Sequence, residues 1–219
     1  MFKKAFPWSR REPEEETERD GVLISGPRVV LREKKLEDVK EDYNWRVDPE
    51  LAELDATRPL NMAYEDFARY SKEEISLPGI RSKRLAIDTV EGRHIGNCMF
   101  YEIDLRTGEA ELGIMIGDKD YWSQGFGTEA VDLLLDHMFT AYPFKRVYLH
   151  TLKWNGRAQK SFGKSGFKEV REVRRSGLDF LNMEVWRHEW ETMRGEVTDT
   201  DEGQTSKDIS SSENSNSPS

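Results

Sequence analysis

Two glycines at the start of an amphipathic stretch carry the clearest indication of chemistry in this chain. Gly125 and Gly127 follow the polar loop Asp118-Lys-Asp-Tyr-Trp-Ser-Gln. Glycine allows a backbone to turn tightly and approach a ligand, and the free N–H groups at a helix start attract anions. The turn therefore predicts a site for a pyrophosphate group. The alternative is a loop that only turns tightly, because short glycine motifs also occur by chance.

The turn differs from two common phosphate-binding loops. It lacks the Gly-Lys-Ser/Thr ending of a nucleoside triphosphate P-loop. It also lacks the three glycines of the dinucleotide fingerprint. The sequence therefore indicates an anionic ligand of another class.

A second segment downstream has the boundaries of a short helix. Asn155 is a favourable N-cap residue for the stretch that follows it. Gly166 suits a position just after the helix end, and Phe167 is expected in the core.

The hydrophobic pattern predicts strands that alternate with helices around these two motifs. Val131, Leu134, Leu135 and Met138 give the helix after the glycine turn one apolar face. This pattern is typical of a mixed α/β or α+β domain with a central strand–glycine turn–helix unit. Strands are predicted near residues 22–26, 29–32, 84–90, 94–103, 110–116, 146–151, 167–173 and 180–185, and helices near 36–45, from 48, 63–75, up to 140 and 155–164.

The composition restricts the class of partner. The 219 residues carry a formal net charge of -9, with a mean hydropathy of -0.78. That charge argues against binding to nucleic acid, which needs a clustered basic surface, and it permits a cationic partner such as an amine. No apolar run approaches the roughly 18 residues of a membrane span. We therefore expect neither nucleic acid nor a membrane as a partner, and no metal.

Both ends of the chain are predicted to be disordered. Charged residues dominate the first end, and serines interleaved with acidic residues fill the last part of the chain. Such segments bury too little apolar area to order themselves. We expect a disordered segment over residues 1–20, one folded domain over 21–190 and a disordered Ser-rich acidic tail over 191–219.

Cys98 is the sole cysteine, so an internal disulfide is excluded and a reducing compartment is favoured. No histidine pattern accompanies it, and we expect it to pack as a small apolar residue. Charges near the N-terminus replace the apolar stretch of a signal peptide. We therefore expect a cytoplasmic protein.

The stretch from Glu111 to Leu135 resembles the coenzyme A-binding motif of the GNAT superfamily of N-acetyltransferases. It is most similar to the branch with ribosomal-protein N-terminal acetylases and spermidine acetylases, where many loops read Asp-Lys-Asp-Tyr-Trp-Gly-Lys-Gly-Tyr-Gly-Thr-Glu-Ala. This chain has Asp118-Lys-Asp-Tyr-Trp-Ser-Gln-Gly-Phe-Gly-Thr-Glu-Ala130, and the segments from Asn155 and from Gly26 also match the branch. The resemblance implies a GNAT fold, acetyl-CoA as cosubstrate and an amine acceptor.

The resemblance also implies the cofactor-binding residues. In the family, a bulge in the central strand separates it from its neighbour, and the coenzyme arm lies in that gap. The strand backbone then contacts the arm, and the N–H groups of the turn contact the pyrophosphate. The residues implied are Ile114, Met115, Ile116, Ser123, Gln124, Gly125, Phe126, Gly127, Thr128, Asn155 and Lys164.

Acetyl transfer needs a group that takes the proton of the attacking amine and donors for the thioester oxygen. Glu111 is the candidate base, acting through water, because relatives often carry an acid at that position. His150 is a second candidate, since histidine titrates near neutrality. Glu111 is equally compatible with a structural role in an ion pair. A lone histidine on a strand is more often structural, so His150 ranks below Glu111.

The chain differs from the family pattern at the position of the acid that protonates the leaving thiolate. Many relatives have a tyrosine in Tyr-Glu-Lys-x-Gly-Phe, and the matching residue here is Phe162. Ser161, Ser165 or water are the candidate substitutes, and lost activity is the alternative.

The sequence thus predicts direct acetyl transfer to a primary amine, either a protein N-terminus, a polyamine or another small amine. The alternatives are a non-catalytic acetyl-CoA-binding sensor or interaction module, and a purely structural protein. A homodimer is also expected, because dimers are common in the branch. A group of acidic residues in the acceptor region suits a cationic substrate, or forms a solvated helix face: Glu50, Glu53, Asp55, Glu65 and Asp66.

Overall fold

A computed structural model describes residues 21–77, 79 and 81–195. The predicted disorder over 1–20, and over the tail from 196, lies outside the described residues. Residues 187–195 are helical, so regular structure continues beyond the domain boundary predicted at 190.

One eight-stranded sheet forms the centre of the described chain, in the order β1-β2-β3-β4-β5-β6-β8-β7. Every neighbouring pair is antiparallel except β5 and β6, which are parallel. The predicted mixed, mostly antiparallel sheet is therefore confirmed. The strands are β1 Val22–Ser25, β2 Val29–Glu33, β3 Ser82–Thr89, β4 His94–Asp104, β5 Glu109–Ile116, β6 Arg146–Leu152, β7 Lys168–Arg175 and β8 Leu178–Trp186.

Helices cover both faces of the sheet, near their predicted positions. Asp48 caps the second helix by accepting the backbone N–H groups of Glu50 and Leu51, at 2.9 and 3.0 Å, and Pro49 fills its first turn. The helices are α1 Val39–Val47, α2 Pro49–Leu54, α3 Tyr64–Ser76, α4 Phe126–Ala141, α5 Gly156–Lys164 and a final helix over 187–195, with single 3₁₀ turns at Leu36–Asp38 and Lys119–Tyr121.

The main apolar core lies between α4 and one face of the sheet. The four residues predicted to form the apolar face of α4, Val131, Leu134, Leu135 and Met138, are all fully buried. They belong to the same cluster as Phe100 and apolar side chains of β2, β3, β5, β6 and β8. Burying each such side chain stabilises the fold by roughly 1.5–3 kcal/mol. The glycine turn is therefore attached to a helix that is firmly held in the core.

The sheet opens between β5 and β6. Their parallel pairing covers only Glu109 to Glu111, whereas β5 stays paired with β4 as far as Ile116. The resemblance placed a bulge on β5. The register irregularity instead lies on β4, between Tyr101 and Asp104, where Glu102 adopts a left-handed φ of 50°.

A buried ion network holds α1 against the opposite face. Arg32 on β2 lies between two carboxylates, with its Nη2 2.7 Å from Asp38 Oδ1 and its Nε 2.6 Å from Asp88 Oδ2. Burial alone raises the pKa of the Asp38 carboxyl, but the hydrogen bond from Arg32, the backbone N–H of Lys35 and nearby cations outweigh it and lower that pKa to about 2. The network thus favours the ionised carboxylate.

Protonation of Asp38 at low pH should lower the free energy of unfolding. Its pKa in the folded chain lies below the unfolded value of about 3.9, so its contribution of about 2 kcal/mol is present above pH 4 and is lost as pH falls through 2. Urea unfolding at pH 5 and 2.5 should show this loss in the wild type and a smaller one in Asp38→Asn.

The exposed pair between Asp66 and Arg69 provides the control. Asp66→Asn should leave the free energy of unfolding within about 0.5 kcal/mol of the wild type. An Asp38→Asn variant that keeps the full acid dependence would contradict the assignment.

Gly117, at the end of β5, leaves space for Trp45 of α1. A Cβ at position 117 would lie only 2.0 Å from Trp45 Cδ2, and Trp45 is itself buried. We expect Gly117→Ala to lower the free energy of unfolding by about 1–3 kcal/mol through overpacking. Gly163→Ala on α5 meets no atom within 4 Å and should stabilise by up to about 1 kcal/mol. Equal effects in urea unfolding would contradict this steric account.

Candidate functional site

A cavity of about 350 Å³, here called the glycine-turn cavity, lies between the end of β5, the start of α4 and α5. Its wall brings together most of the residues that the sequence analysis assigned to cofactor binding. The predicted residues in this wall are Ile114, Met115, Ile116, Ser123, Gly125, Gly127, Thr128, Asn155, Ser161 and Lys164.

Two predicted cofactor residues, Gln124 and Phe126, are not part of the wall. The Gln124 side chain donates to the carbonyl of Asp120. The Phe126 ring packs edge-on against Tyr121, with 5.0 Å between centroids, and lies beneath the guanidinium of Arg28. Their side chains therefore stabilise the turn, and only their backbone groups remain available to a ligand there.

The glycine turn is tied to the start of β2. Gly125 has a left-handed φ of 91° and is the N-cap of α4, a conformation that favours glycine. Arg28 donates to the carbonyl of Gln124 at 3.0 Å and to Glu129 at 2.9 Å. Glu129 in turn accepts the backbone N–H groups of Arg28 and Val29. These bonds fix the position of the first turn of α4.

Trp122 links the three parts of the cavity. Its indole N–H donates to the carbonyl of Ile116 at 2.7 Å, and the guanidinium of Arg157 stacks 3.8 Å from its ring. Arg157 and Lys160 both line the cavity and add positive charge to it. Sequence reasoning missed these two cations, although their spacing on α5 places them one turn apart.

Residues of α5 form the opposite wall. Asn155 caps the helix as predicted, because its side chain accepts the N–H of Ala158 at 3.2 Å. The Ser161 hydroxyl lies 2.8 Å from that of Thr128, which joins α5 to α4. Phe162 lines the cavity with an apolar surface, whereas Ser165 is buried elsewhere. Ser165 is therefore not placed to serve as the acid.

The two candidate bases are in contact with each other. His150 Nδ1 lies 2.8 Å from Glu111 Oε1, and their side chains are only 8% and 10% exposed. His150 Nε2 also lies 3.3 Å from the side-chain nitrogen of Asn182. Neither candidate lines the glycine-turn cavity.

A second cavity of about 560 Å³, here called the α3 cavity, lies between α1, α3 and strands β3 to β5. It meets the glycine-turn cavity at Asp55, Ile114 and Met115, which line both. Tyr101 lines the α3 cavity and is the cross-strand partner of Glu111. Burial, followed by the negative charge of Glu111, raises the pKa of the Tyr101 hydroxyl. Tyr101 thus lies between this cavity and the buried carboxylate.

Each acidic side chain in the wall of the α3 cavity has a cationic partner. Asp55, which is 46% exposed at the junction, pairs with Arg46 at 3.0 Å. The other pairs are Glu33 with Lys83 at 2.7 Å, Glu74 with Arg84 at 2.9 Å and Asp42 with Lys34 at 2.7 Å. The wall therefore contains balanced charge. Of the five acidic residues that the sequence analysis assigned to the acceptor region, only Asp55 lines this cavity.

Other kinds of chemistry find little support in the described residues. Burial raises the pKa of the Cys98 thiol to about 12, so this cysteine is not a thiolate nucleophile. No three His, Cys, Asp or Glu side chains of the described chain are arranged to hold a metal ion. None of its helices has both the length and the apolar character needed to cross a bilayer.

Comparison with known proteins connects this geometry to one family. Residues 28–168 match the model of the acetyltransferase (GNAT) domain. The uncharacterized N-acetyltransferase p20 of Bacillus licheniformis is 30% identical over 121 residues, which cover 55% of this chain and 67% of that protein.

Two solved structures share the fold. Spermidine N-acetyltransferase from Vibrio cholerae, in complex with CoA and spermine, aligns with a TM-score of 0.67 at 18% identity, over 75% of this chain and 99% of that one. An aminoglycoside acetyltransferase in complex with coenzyme A aligns with a TM-score of 0.63 at 20% identity, over 76% and 99% of the two chains.

Gly127 provides a direct test of an anion site in the turn. A Cβ there would make only an ordinary contact with Ile116, at 3.5 Å. We expect Gly127→Asp to weaken acetyl-CoA binding at least about tenfold, or about 1.4 kcal/mol, because a carboxylate would face the phosphates. Calorimetric titration measures this change.

Gly127→Ala is the matched control, since it adds the Cβ without the charge. It should keep most of the affinity, while both variants stay folded, because an acidic residue in the first turn of a helix is favourable. Equal affinity of the Asp variant and the wild type would contradict an anion site at this turn.

Proposed function

The chain belongs to the GNAT acetyltransferase family, and from that premise we propose that it transfers the acetyl group of acetyl-CoA directly to the nitrogen of a primary amine. The observation that carries the proposal is the meeting of the two cavities at Ile114 and Met115. The glycine-turn cavity holds the coenzyme, and the α3 cavity receives the amine. Their junction brings the thioester and the amine together, which lowers the entropic cost of the reaction.

The coenzyme is held mainly by backbone groups. The N–H groups between Ser123 and Thr128 bind the pyrophosphate, supported by the dipole of α4. The backbone of Ile114, on the edge of β5 that has lost its pairing with β6, binds the arm and the thioester oxygen. The Met115 carbonyl faces Gly96 of β4, so Met115 contributes its side chain to the wall. The Ile116 carbonyl already accepts the indole of Trp122, so it contributes less.

Positively charged and polar side chains of α5 complete the proposed coenzyme site. Asn155, Arg157, Lys160 and Lys164 line the cavity. Cations near the phosphates add electrostatic attraction that does not depend on the acyl group. The chain therefore binds free coenzyme A as well as acetyl-CoA.

Glu111 is the proposed base. The ammonium form of the acceptor must lose one proton before its nitrogen can attack, and Glu111 is the buried carboxylate next to Tyr101 of the α3 cavity. Because Glu111 is buried, the proton reaches it through the Tyr101 hydroxyl or a water molecule rather than by direct contact. The neutral nitrogen then attacks the thioester carbon, and the carbon–sulfur bond breaks to release the coenzyme thiolate. The nitrogen passes its surplus proton to water, which leaves the neutral amide.

Phe162 leaves the thiolate without the tyrosine of many relatives. The Ser161 hydroxyl, which interacts with Thr128 at 2.8 Å, is the polar group on that wall. We propose that the thiolate takes its proton from solvent, with Ser161 as a relay. A thiolate is a stable enough leaving group for transfer to proceed without a strong acid.

The acceptor is a protein N-terminus, a polyamine or another small amine. Asp55 is the anionic group at the junction, and its partner Arg46 is itself partly exposed. An incoming ammonium group can compete with Arg46 for this carboxylate. The balanced pairs farther inside do not select for a polycation by charge alone.

Glu111→Gln tests the proposed base. With spermidine, tobramycin and an alanine-initiated peptide as acceptors, we expect kcat to fall about 10²–10³-fold, while acetyl-CoA affinity stays unchanged. Release of free coenzyme thiol measures turnover. Glu109→Gln is the matched control, because Glu109 lies on the same face of β5 but pairs with Arg146. Full activity of Glu111→Gln would rule out this assignment.

The absence of tyrosine at position 162 supports a second candidate, a non-catalytic acetyl-CoA sensor. In that case the wild type binds acetyl-CoA but releases no thiol with any acceptor, and Phe162→Tyr adds no activity. A large gain in Phe162→Tyr would instead indicate an enzyme that has lost its acid.

A further inference from the structure

Three side chains form a chain of contacts across one face of the sheet. Asn182 on β8 is the cross-strand partner of His150 on β6. Its side-chain nitrogen lies 3.3 Å from His150 Nε2, and His150 Nδ1 lies 2.8 Å from Glu111 on β5. All three side chains are largely buried, so bulk water does not replace these contacts.

A further hydrogen bond fixes the orientation of the Asn182 amide. The same nitrogen donates to the backbone carbonyl of Leu149 at 3.2 Å. The reversed amide would place Oδ1 against that carbonyl oxygen, and neither oxygen has a proton to donate. The nitrogen of Asn182 therefore faces both Leu149 and His150.

The orientation of the amide determines the proton on the imidazole ring. Because Asn182 offers an N–H to His150 Nε2, that ring nitrogen accepts and carries no proton. The remaining proton of the neutral ring is on Nδ1, where it is donated to the Glu111 carboxylate. Both ring nitrogens are thus occupied, and His150 has no free lone pair for an incoming proton.

We propose that Asn182 is a positioning residue for acetyl transfer, which holds His150 as the neutral Nδ1–H tautomer and so leaves Glu111 as the only base. The inference deepens the proposed function, on which it rests. Without Asn182, His150 Nε2 can take a proton, and the resulting imidazolium would pair with Glu111. A carboxylate held by an imidazolium is a weaker base toward the ammonium group of the substrate.

Several other titratable or charged groups surround this chain of contacts. Tyr101 faces Glu111 from β4, and Tyr148 flanks it on β6, where its ring lies 5.9 Å from that of His150. Arg146 on β6 is paired with Glu109 and Glu184, and Glu102 on β4 lies 3.6 Å from Arg81. Arg171 on β7 is the cross-strand partner of Asn182.

The tautomer is measured directly in the full chain. The protein has 4 histidines, so long-range ¹H–¹⁵N spectra of labelled protein, with His150→Gln as the assignment standard, resolve the ring of His150. We expect the Nδ1–H form in the wild type near neutral pH, and an imidazolium or mixed form in Asn182→Ala. A wild-type ring protonated at Nε2 would overturn the proposal.

The kinetic test uses the acceptor that the wild type acetylates fastest among spermidine, tobramycin and an alanine-initiated peptide. For Asn182→Ala we expect kcat/KM to fall about tenfold at neutral pH and its pH profile to shift relative to the wild type. The shift should vanish when His150→Gln is added, since the effect of Asn182 passes through that ring. A shift that persists in the double variant would overturn the proposal.

Glu184→Gln is the matched control. Glu184 lies on the same strand and face as Asn182 but pairs with Arg146, so its variant should leave the His150 tautomer unchanged. The experiments distinguish failure of the proposed acetyl transfer from failure of the positioning role of Asn182. A wild type that acetylates no acceptor refutes the proposed function, and with it the role of Asn182 in transfer. An active wild type whose pH profile is unaltered by Asn182→Ala refutes the positioning role alone.

Discussion

The separation of β5 from β6 is the constraint on which the rest of the structure depends. A backbone edge inside a protein must satisfy its N–H and C=O groups, and beyond Glu111 the strand β6 no longer does so for β5. Trp122 satisfies one of these groups, the Ile116 carbonyl, from the glycine turn. The opened edge lies directly above the start of α4. An extended ligand with an anionic end can therefore contact both the backbone groups of the open β5 edge and the N–H groups at the start of α4.

The two faces of the sheet stabilise that opening in different ways. On one face, the fully buried side chains of α4 anchor the helix whose first turn is the proposed anion site. On the other, the network around Arg32 and the close contact of Trp45 with Gly117 hold α1 over the end of β5. Rigid attachment on both sides matters, because a small displacement of the reacting groups is costly in rate.

The sequence predicted the local elements well, because hydrophobic periodicity and capping residues are local. It also identified Gly125, Gly127 and Asn155, whose roles follow from their immediate neighbours. Two of the residues that it missed depend on strand register. Tyr101 and Asn182 become relevant only through pairing with Glu111 and His150 across strands that are distant in sequence.

Strand register also determines how the two candidate bases are related. The sequence alone makes Glu111 and His150 alternative candidates for the base. The parallel register of β5 and β6 instead places their side chains in contact. The charge balance of the α3 cavity could not be predicted from the sequence either, because each acidic residue there pairs with a cation of another element. The mixed charges of 187–195 concealed a helix, whose Trp190 packs 5.3 Å from Phe139.

The two proton transfers of the proposed reaction differ in how far the fold controls them. The proton that leaves the ammonium group passes to Glu111, whose contacts with Tyr101 and with His150 and Asn182 are fixed by four strands. The proton that the thiolate needs has no comparable provision, because Phe162 presents only carbon at that wall and a serine hydroxyl is far too weak an acid to be a net donor. Ser161 can only pass on a proton that it regains from solvent. Burial of Glu111 and access of water to the sulfur are thus complementary. Burial limits proton exchange between the carboxylate and bulk water, so Glu111 stays available to accept the proton of the amine. Access to water allows the coenzyme thiolate to be protonated as it leaves.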